Sequence, residues 1–199
     1  MKFYRHQGFT IIEIMIALVI VGILLSIAAP SFSNLIKNNR MLSEVYALRA
    51  TLNTARSEAL SRRTEVTVCS SSDGTSCIAG AGATEWNQGH IMFADDDNDD
   101  TLDPNEVFYV KLEDANTLTI TYLNTNTSSA SVAANQIQFN SRGYARRSFG
   151  TLEVCDDRGP TQAKGIIVAA VGTVSSAVDT DSTPDGIAND HNGDNFDCN

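Results

Sequence analysis

The stretch GFTIIEIMIALVIVGILLSIAAP, residues 8–30, decides how this chain is built. It is apolar almost throughout and carries a single charged side chain, the carboxylate of Glu13. Its length and composition are typical of an α-helix that crosses a membrane. A charge on such a segment is costly and usually serves a function, so we predict that Glu13 is a functional residue.

The residues before this stretch predict its orientation. Lys2, Arg5 and His6 precede it, and positive charge ahead of a first apolar segment favours a cytoplasmic N-terminus. Everything after Ala29 is therefore expected across the membrane. An ordinary secretory signal, cut after Ser26-Ile27-Ala28-Ala29, is the alternative. A signal peptide, however, has no need for a glycine before Phe9 or for Glu13.

The string GFTIIE at residues 8–13 resembles the type IV pilin processing motif. The resemblance implies that residues 1–8 are a leader, that prepilin peptidase cuts between Gly8 and Phe9, and that Phe9 becomes N-methylphenylalanine. It also implies that the carboxylate of Glu13 pairs with the N-terminal amine of a neighbouring subunit during assembly. Such pairing would remove an isolated charge from an apolar environment.

The apolar helix is predicted to continue beyond the membrane. Gly22 and Pro30 sit where pilins place assembly residues that weaken the helix, and Pro30, which lacks an amide donor, is expected to kink or loosen it. A stripe of apolar residues at steps of three, four or seven then predicts an amphipathic segment at residues 31–63. The stripe comprises Leu35, Leu42, Val45, Leu48, Leu52, Ala55 and Ala59. Residues 9–63 would form one rod, roughly 80 Å long at 1.5 Å per residue, with residues 9–30 as its transmembrane and assembly half.

From Thr64 onward, short apolar alternations separated by turn formers predict β-strands. The predicted strands are residues 65–69, 90–94, 107–111, 117–123, 136–140, 150–155 and 165–170. No repeat or long linker divides residues 64–199, so we predict one β-rich head. The fold class is α+β, a pilin fold in which the long N-terminal helix packs against a β-sheet. The acidic C-terminal tail from Ser175 is expected to be loop-like.

All four cysteines lie in the head, where an oxidising periplasm would favour disulfides. Four cysteines allow three pairings. Local geometry favours Cys69 with Cys77 and Cys155 with Cys198, the second of which would tie the tail to the sheet. A zinc site is the alternative explanation of the four cysteines, but the chain has no CxxC spacing and its histidines are scattered.

Five strings in the head carry a finer resemblance. They are ARSEALSRR at residues 55–63, WNQGHIMF at 86–93, FNSRGYA at 139–145, TLEVC at 151–155 and GIIVAAVGTV at 165–174. They resemble the GspH/FimT (FimU-like) family of minor pilins and pseudopilins. The resemblance implies a minor type IV pilin or type II secretion pseudopilin that enters or primes a pilus or pseudopilus.

The same resemblance implies a location and a set of partners. Before assembly, the chain would cross the bacterial inner membrane once, with its N-terminus in the cytoplasm and its head in the periplasm. Its partners would be other major and minor pilins or pseudopilins, prepilin peptidase and the inner-membrane assembly platform.

Some members of this family bind DNA during natural transformation through a GRxR motif on a late strand or loop. Here the matching position reads Gly172-Thr173-Val174-Ser175, so both arginines are absent. Arg142, Arg146 and Arg147 remain as candidate DNA contacts. Residues 64–199, however, hold six Lys or Arg against 21 Asp or Glu, a net charge of −15 that repels a polyanion. DNA binding by a minor pilin is thus kept as the alternative function rather than the main one. A solvated turn is the simpler explanation of the three arginines.

The acidic run DDDNDDTLDPNE at residues 95–106 follows the ligand spacing of a calcium loop. The candidate ligands are Asp95, Asp97, Asp99, Asp103 and Glu106. Two features depart from that loop: Asp100 stands where a glycine is expected, and the flanking segments are predicted strands rather than helices. A solvated hairpin turn is the alternative. Calcium is the single cofactor that the sequence suggests.

The sequence predicts no enzyme. It contains neither GxSxG nor GxxxxGK[ST], and one of its three histidines, His6, lies in the predicted leader. We therefore expect the chain to be a substrate of processing enzymes and a structural subunit.

Overall fold

A computed structural model describes residues 8–79, 85–97, 102–103, 105–112, 118–124, 136–145 and 148–198, with residues 29 and 30 described by their backbone alone. The elements are α1 (Ile11–Arg62), β1 (Glu65–Ser70), β2 (Gly89–Asp95), β3 (Val107–Leu112), β4 (Thr119–Asn124), β5 (Gln136–Phe139), β6 (Gly150–Cys155), a 3-10 helix (Pro160–Gln162), β7 (Lys164–Val168) and β8 (Val174–Ser176). The chain divides into two compact units, Met1–Arg40 and Met41–Asn199.

The strands of the second unit form two antiparallel sheets of four strands each. Sheet A has the order β3-β2-β1-β5, and sheet B has the order β4-β6-β7-β8. In sheet A, Val68 of β1 lies opposite Met92 on one side and Ile137 on the other. The predicted α+β class is confirmed, with the helix packed against antiparallel sheets. β8 is an addition that the polar sequence around Val174 did not predict.

The outer half of α1 supplies one wall of the core. Its buried side chains pack in one cluster with residues of both sheets. They are Met41, Val45, Leu48, Leu52, Ala55 and Ala59. The predicted stripe was wrong at its start, because Leu35 and Leu42 are 53% and 37% exposed. Neighbouring helix residues point about 100° apart, so Leu42 turns away from the core when Met41 faces it.

Polar contacts join β3 to the helix. The Nζ of Lys111 lies 2.9 Å from the Oε1 of Glu44. The guanidinium of Arg62 lies over the ring of Phe108, 4.3 Å from its centroid. These two contacts attach β3 to widely separated residues of α1.

The C-terminal segment, residues 177–198, is irregular, as predicted, but it is packed rather than loose. It covers the face of β6 that points away from the core, where Thr151, Glu153 and Cys155 are buried. Phe196 is buried beside Gly165, where even an added Cβ would lie 2.5 Å from the phenylalanine ring. The segment therefore belongs to the folded head.

A polar network built on the buried side chains of His90 and Thr51 joins α1 to sheet A. The Nε2 of His90 lies 3.4 Å from the Oγ1 of Thr51, which is also 3.5 Å from the hydroxyl of Tyr109. The His90 ring is stacked on that of Tyr109 with centroids 6.0 Å apart. Burial, with a smaller contribution from the charge of Lys111, lowers the pKa of His90 from 6.5 to about 4.

Acid is therefore expected to destabilise the head through His90. Between about pH 6.5 and pH 4 the unfolded chain binds a proton at this residue and the native state does not, so stability falls as pH falls through this window. The full shift corresponds to about 3 kcal/mol. Urea unfolding of residues 41–199, which contain the whole core, should show this loss at pH 4 relative to pH 7.

A His90→Gln variant is the control, since its amide can still contact Thr51 but does not titrate. It should lose most of the pH dependence. His191, whose pKa is also lowered by burial, acts in the same direction, whereas burial raises the pKa of Glu153 and opposes the loss. Equal pH profiles for the variant and the parent would contradict the prediction.

Candidate functional site

The residues around the predicted cleavage point form a cap for α1. Gly8, Phe9 and Thr10 precede the helix. The backbone N–H of Glu13 donates to the Oγ1 of Thr10 at 3.2 Å, and the backbone N–H of Thr10 donates to the Oε2 of Glu13 at 3.5 Å. This reciprocal pair is a capping box, the Thr-x-x-Glu pattern. Glu13 thus has a role within its own chain, and Thr10 is a site residue that sequence reasoning missed although the spacing could have revealed it.

The first unit exposes its apolar side chains. Exposed large residues follow one another along α1 from Ile11 to Ile36. Among the described residues one helix, α1, is long and apolar enough to cross a membrane, and its 18-residue apolar window has a mean hydropathy of 2.9 with none of it buried in the chain. An apolar surface of this extent needs lipid or other apolar helices around it.

Two predicted assembly residues lie within that helix. The helical backbone continues through Gly22 and Pro30 without interruption. Around Gly22, apart from the glycine, its chain neighbours and the adjacent helix backbone, no atom lies within 4 Å of the position that a Cβ would occupy, so a neighbouring helix could approach closely there. The predicted loosening at Pro30 stays a prediction.

The acidic turn, residues 95–106, brings together some of the predicted calcium ligands. Carboxylate oxygens of Asp95, Asp97 and Glu106 lie within 4.8 Å of one another. Asp99 lies outside the described residues. Both oxygens of Glu106 already accept backbone hydrogen bonds, from the N–H of Asp96 and the N–H of Asp103, each at 3.0 Å. These two hydrogen bonds of Glu106 connect the two ends of the turn without a metal ion.

The structure contains two disulfides, Cys69–Cys77 and Cys155–Cys198. These are the pairings that local geometry favoured. The first closes the disulfide loop, residues 71–77, beside sheet A. The second closes a sequence separation of 43 residues and attaches the C-terminal segment to β6. Cys198 also donates its backbone N–H to the buried Oε1 of Glu153 at 3.1 Å.

Two protein families match the chain. The family described as type II transport protein GspH matches residues 44–172, which is more than half of the chain, and the prokaryotic N-terminal methylation motif matches residues 4–29. The chain belongs to the GspH family. The predicted GspH/FimT assignment is thereby confirmed. This GspH-family chain is a pilin or pseudopilin of the type IV pilus or type II secretion kind, anchored to a membrane by its N-terminal apolar helix.

Two solved structures are similar to this GspH-family protein. Both are crystal structures of the type IV minor pilin FimU from Pseudomonas aeruginosa (strain PAO1), in space groups P21 and P65. The first has 20% identity and a TM-score of 0.47, covering 70% of this chain and 89% of that chain. The second has 18% identity and a TM-score of 0.46, covering 69% and 92%. No curated protein matches the chain.

The arginines of the DNA-binding alternative are only partly described. Arg142 is exposed in the turn after β5, where the Oδ1 of Asn140 accepts its backbone N–H at 3.0 Å. Arg146 and Arg147 lie outside the described residues. At the GRxR position of this GspH-family chain, Gly172 forms the turn between β7 and β8 and offers no cation. DNA binding stays a prediction.

GspH-family pilins are structural subunits. This chain contains one hydroxyl–imidazole pair, Thr151 and His191, whose geometry does not match that of a catalytic site. The Oγ1 of Thr151 lies 2.9 Å from the Nδ1 of His191. Asp190 approaches the same nitrogen, at 3.8 Å, so it does not orient the ring through the opposite nitrogen as a catalytic triad requires. Thr151 is also fully buried beneath the C-terminal segment, closed to any substrate.

Proposed function

We propose that this GspH-family protein is a minor pilin or pseudopilin that prepilin peptidase cuts between Gly8 and Phe9, and that the mature chain is built into, or primes, a pilus or pseudopilus. The observation that carries the proposal is the exposed apolar surface of α1, which opens directly after the processing motif. Each large apolar side chain removed from water contributes about 1.5–3 kcal/mol. Lipid covers this apolar surface before assembly, and the apolar helices of neighbouring subunits cover it afterwards.

The charges and cysteines support one topology. Lys2 and Arg5 precede the apolar segment and favour a cytoplasmic N-terminus, whereas both disulfides follow it and suit the oxidising periplasm. We infer a single pass through the inner membrane, from which the assembly platform lifts the mature chain. Methylated Phe9 and Glu13 then meet the helices of other pilins.

Intact-mass measurement of the full chain, extracted from membranes of cells that carry pilus or type II secretion machinery, tests the proposal. The expected mass lacks residues 1–8 and includes one added methyl group on Phe9. Cells without prepilin peptidase are the control and should yield the uncut chain. An N-terminus after Ala29, the product of an ordinary signal peptidase, would overturn the proposal.

We further propose calcium binding at the acidic turn, supported by the proximity of Asp95, Asp97 and Glu106. Calcium at tenfold excess over its Kd should stabilise residues 41–199 by about 1.4 kcal/mol, seen as a higher Tm that EDTA reverses. Asp97→Asn should abolish the increase and Asp194→Asn should not. A Tm that calcium leaves unchanged would contradict the proposal.

A further inference from the structure

The β5 edge of sheet A is closed by a buried hydroxyl. The backbone N–H of Gln138 donates to the Oγ of Ser148 at 2.7 Å, and that Oγ donates to the carbonyl oxygen of Gln138 at 3.0 Å. Ser148 is fully buried, and its own carbonyl accepts the hydroxyl of Tyr122 at 2.7 Å. No strand can be added to β5 at this point without displacing Ser148.

The edges of sheet B are protected as well. Glu85 bridges to Thr121 of β4, and the N–H of Trp86 donates to the carbonyl of Ile120 at 2.7 Å. At the opposite edge, β8 is only three residues long. Covered and very short edges are ways in which proteins prevent unwanted strand addition.

The β3 edge is built differently. Its sequence VFYVKL carries one charged residue, Lys111, which is paired with Glu44. Val110 and Leu112 are 47% and 50% exposed, and β3 is the terminal strand of sheet A among the described residues. A long, apolar, exposed edge strand is the kind of edge onto which another chain can add a strand.

A cavity opens next to β3, on the face of sheet A opposite to the main core. Its volume is about 300 Å³, and its lining includes Gly74 and Thr75 of the disulfide loop together with Leu102 and Val107. A separate apolar cluster, formed by Cys69, Ile91 and Phe93, lies against Leu102 and Val107. The cavity is large enough to receive an apolar side chain from a partner.

The surroundings of this cavity are strongly acidic. The sequence contains no Lys or Arg between Arg63 and Lys111, although it contains ten Asp or Glu there. Asp73 is exposed on the disulfide loop, and Asp96 and Asp103 are exposed on the acidic turn. A segment that approaches β3 therefore meets carboxylates on both sides of the cavity, which favours a basic partner.

We propose that an extended, basic segment of another pilin subunit adds to the β3 edge, with an apolar side chain in the cavity and a Lys or Arg against the acidic turn. Main-chain hydrogen bonds would supply affinity, and the cavity and the carboxylates would select the segment. The inference rests on the proposed function, because assembly is what brings another pilin to this edge.

A second copy of this chain fits the edge poorly. If two β3 strands paired antiparallel, each copy would bring its own exposed Asp96 and Asp103 to the shared edge. If they paired parallel, the two acidic turns would lie side by side. Like charges directly opposite each other destabilise a strand pair.

Site-specific photocrosslinking in the full chain tests the inference. A photoreactive amino acid is placed at Val110 or Leu112, in cells that assemble the filament, and products are identified by mass spectrometry. Val171 and Val178, which are 55% and 58% exposed, are the matched control positions. We expect crosslinks from β3 to a segment of another pilin that contains Lys or Arg, and a yield at the control positions lower by about tenfold.

Two pairs of variants test separately whether the cavity and the negative charge beside it contribute to binding of the partner segment. Thr75→Trp should fill the cavity and Asp96→Lys should reverse the charge of its rim, and each should lower the β3 crosslink by about tenfold. Thr173→Trp and Asp194→Lys, at exposed positions outside the cavity, should leave it unchanged. Unfolding of the purified heads establishes that all four variants fold.

The inference is overturned by no product from β3, by a product with a second copy of this chain, by a partner segment without Lys or Arg, or by equal yields from the control positions. Insensitivity to Thr75→Trp or to Asp96→Lys also overturns it. The filament fraction of the same cells reports separately on the proposed function. If the chain is present there without the β3 crosslink, the inference fails and the proposed function stands.

Discussion

A Glu13→Gln chain is expected to be cut and methylated normally, yet to be depleted from assembled filaments by more than about tenfold. Glutamine keeps a side-chain oxygen that can accept the backbone N–H of Thr10, the contact that the structure shows at 3.5 Å. What it removes is the negative charge. If that charge pairs with the N-terminal amine of a neighbour, the amine is left unpaired among apolar helices, where an isolated charge is costly.

A Thr10→Ala chain is the matched control, because it removes the Oγ1 that accepts the N–H of Glu13 and keeps the carboxylate. Loss of a helix cap costs about 1 kcal/mol, and this cost falls on a helix that its neighbours also stabilise. The measurement is the ratio of mature chain in sheared filaments to mature chain in the membrane. If Thr10→Ala reduced this ratio as strongly as Glu13→Gln, capping alone would explain Glu13 and the charge-pairing role would be wrong.

Gly172→Ala is expected to destabilise the head by at least about 3 kcal/mol. Gly172 has a φ of 81°, and a Cβ added there would lie 1.8 Å from the carbonyl oxygen of Gly143. That oxygen cannot easily move away, since it accepts a hydrogen bond from the Nε of Arg56 at 3.1 Å. The turn after β5 and the turn between β7 and β8 therefore meet at a contact that only glycine permits.

Gly186→Ala is the control that separates two effects of adding a Cβ: its clash with the carbonyl oxygen of Gly143 and the strain of a positive φ. Gly186 has a similar φ of 83°, but no atom outside the glycine and its two chain neighbours lies within 4 Å of its added Cβ, so the expected cost is about 1 kcal/mol. Urea unfolding of residues 41–199 measures both variants. Equal losses would show that the close approach of Gly172 to Gly143 does not contribute to stability.

Much of the fold could be predicted from the sequence. All seven predicted strands begin and end within two residues of an observed strand, and Gly150–Cys155 matches at both ends, because alternating apolar residues between turn formers are a local signal. β8 was missed, since Val174–Ser176 is short and mostly polar and becomes a strand by pairing with β7. The predicted apolar stripe included Leu35 and Leu42, which are exposed, and omitted Met41, which is buried, because spacing along the chain does not reveal which face of the helix meets the sheets.

The candidate site was predictable to a different degree at each end of the chain. Gly8, Phe9 and Glu13 lie in one short continuous motif, so they could be recognised from the sequence alone. The methylation-motif match at residues 4–29 includes all three. The acidic turn was readable as a string of ligands, but its spacing did not reveal that Glu106 already bonds two backbone amides. The cavity beside β3 could not be predicted, because Gly74 and Val107 come together only through the pairing of β1, β2 and β3.

The sequence by itself determined the membrane helix, the processing motif, the alternation of strands and the acidic character of the head, because each depends on residues that are neighbours along the chain. The tertiary structure alone decided which distant groups meet. It buried His90 against Thr51, closed β5 with Ser148, set Gly172 against Gly143 and left β3 exposed. These contacts join residues far apart in sequence, and their energies depend on burial and geometry that arise only when the sheets pack on the helix.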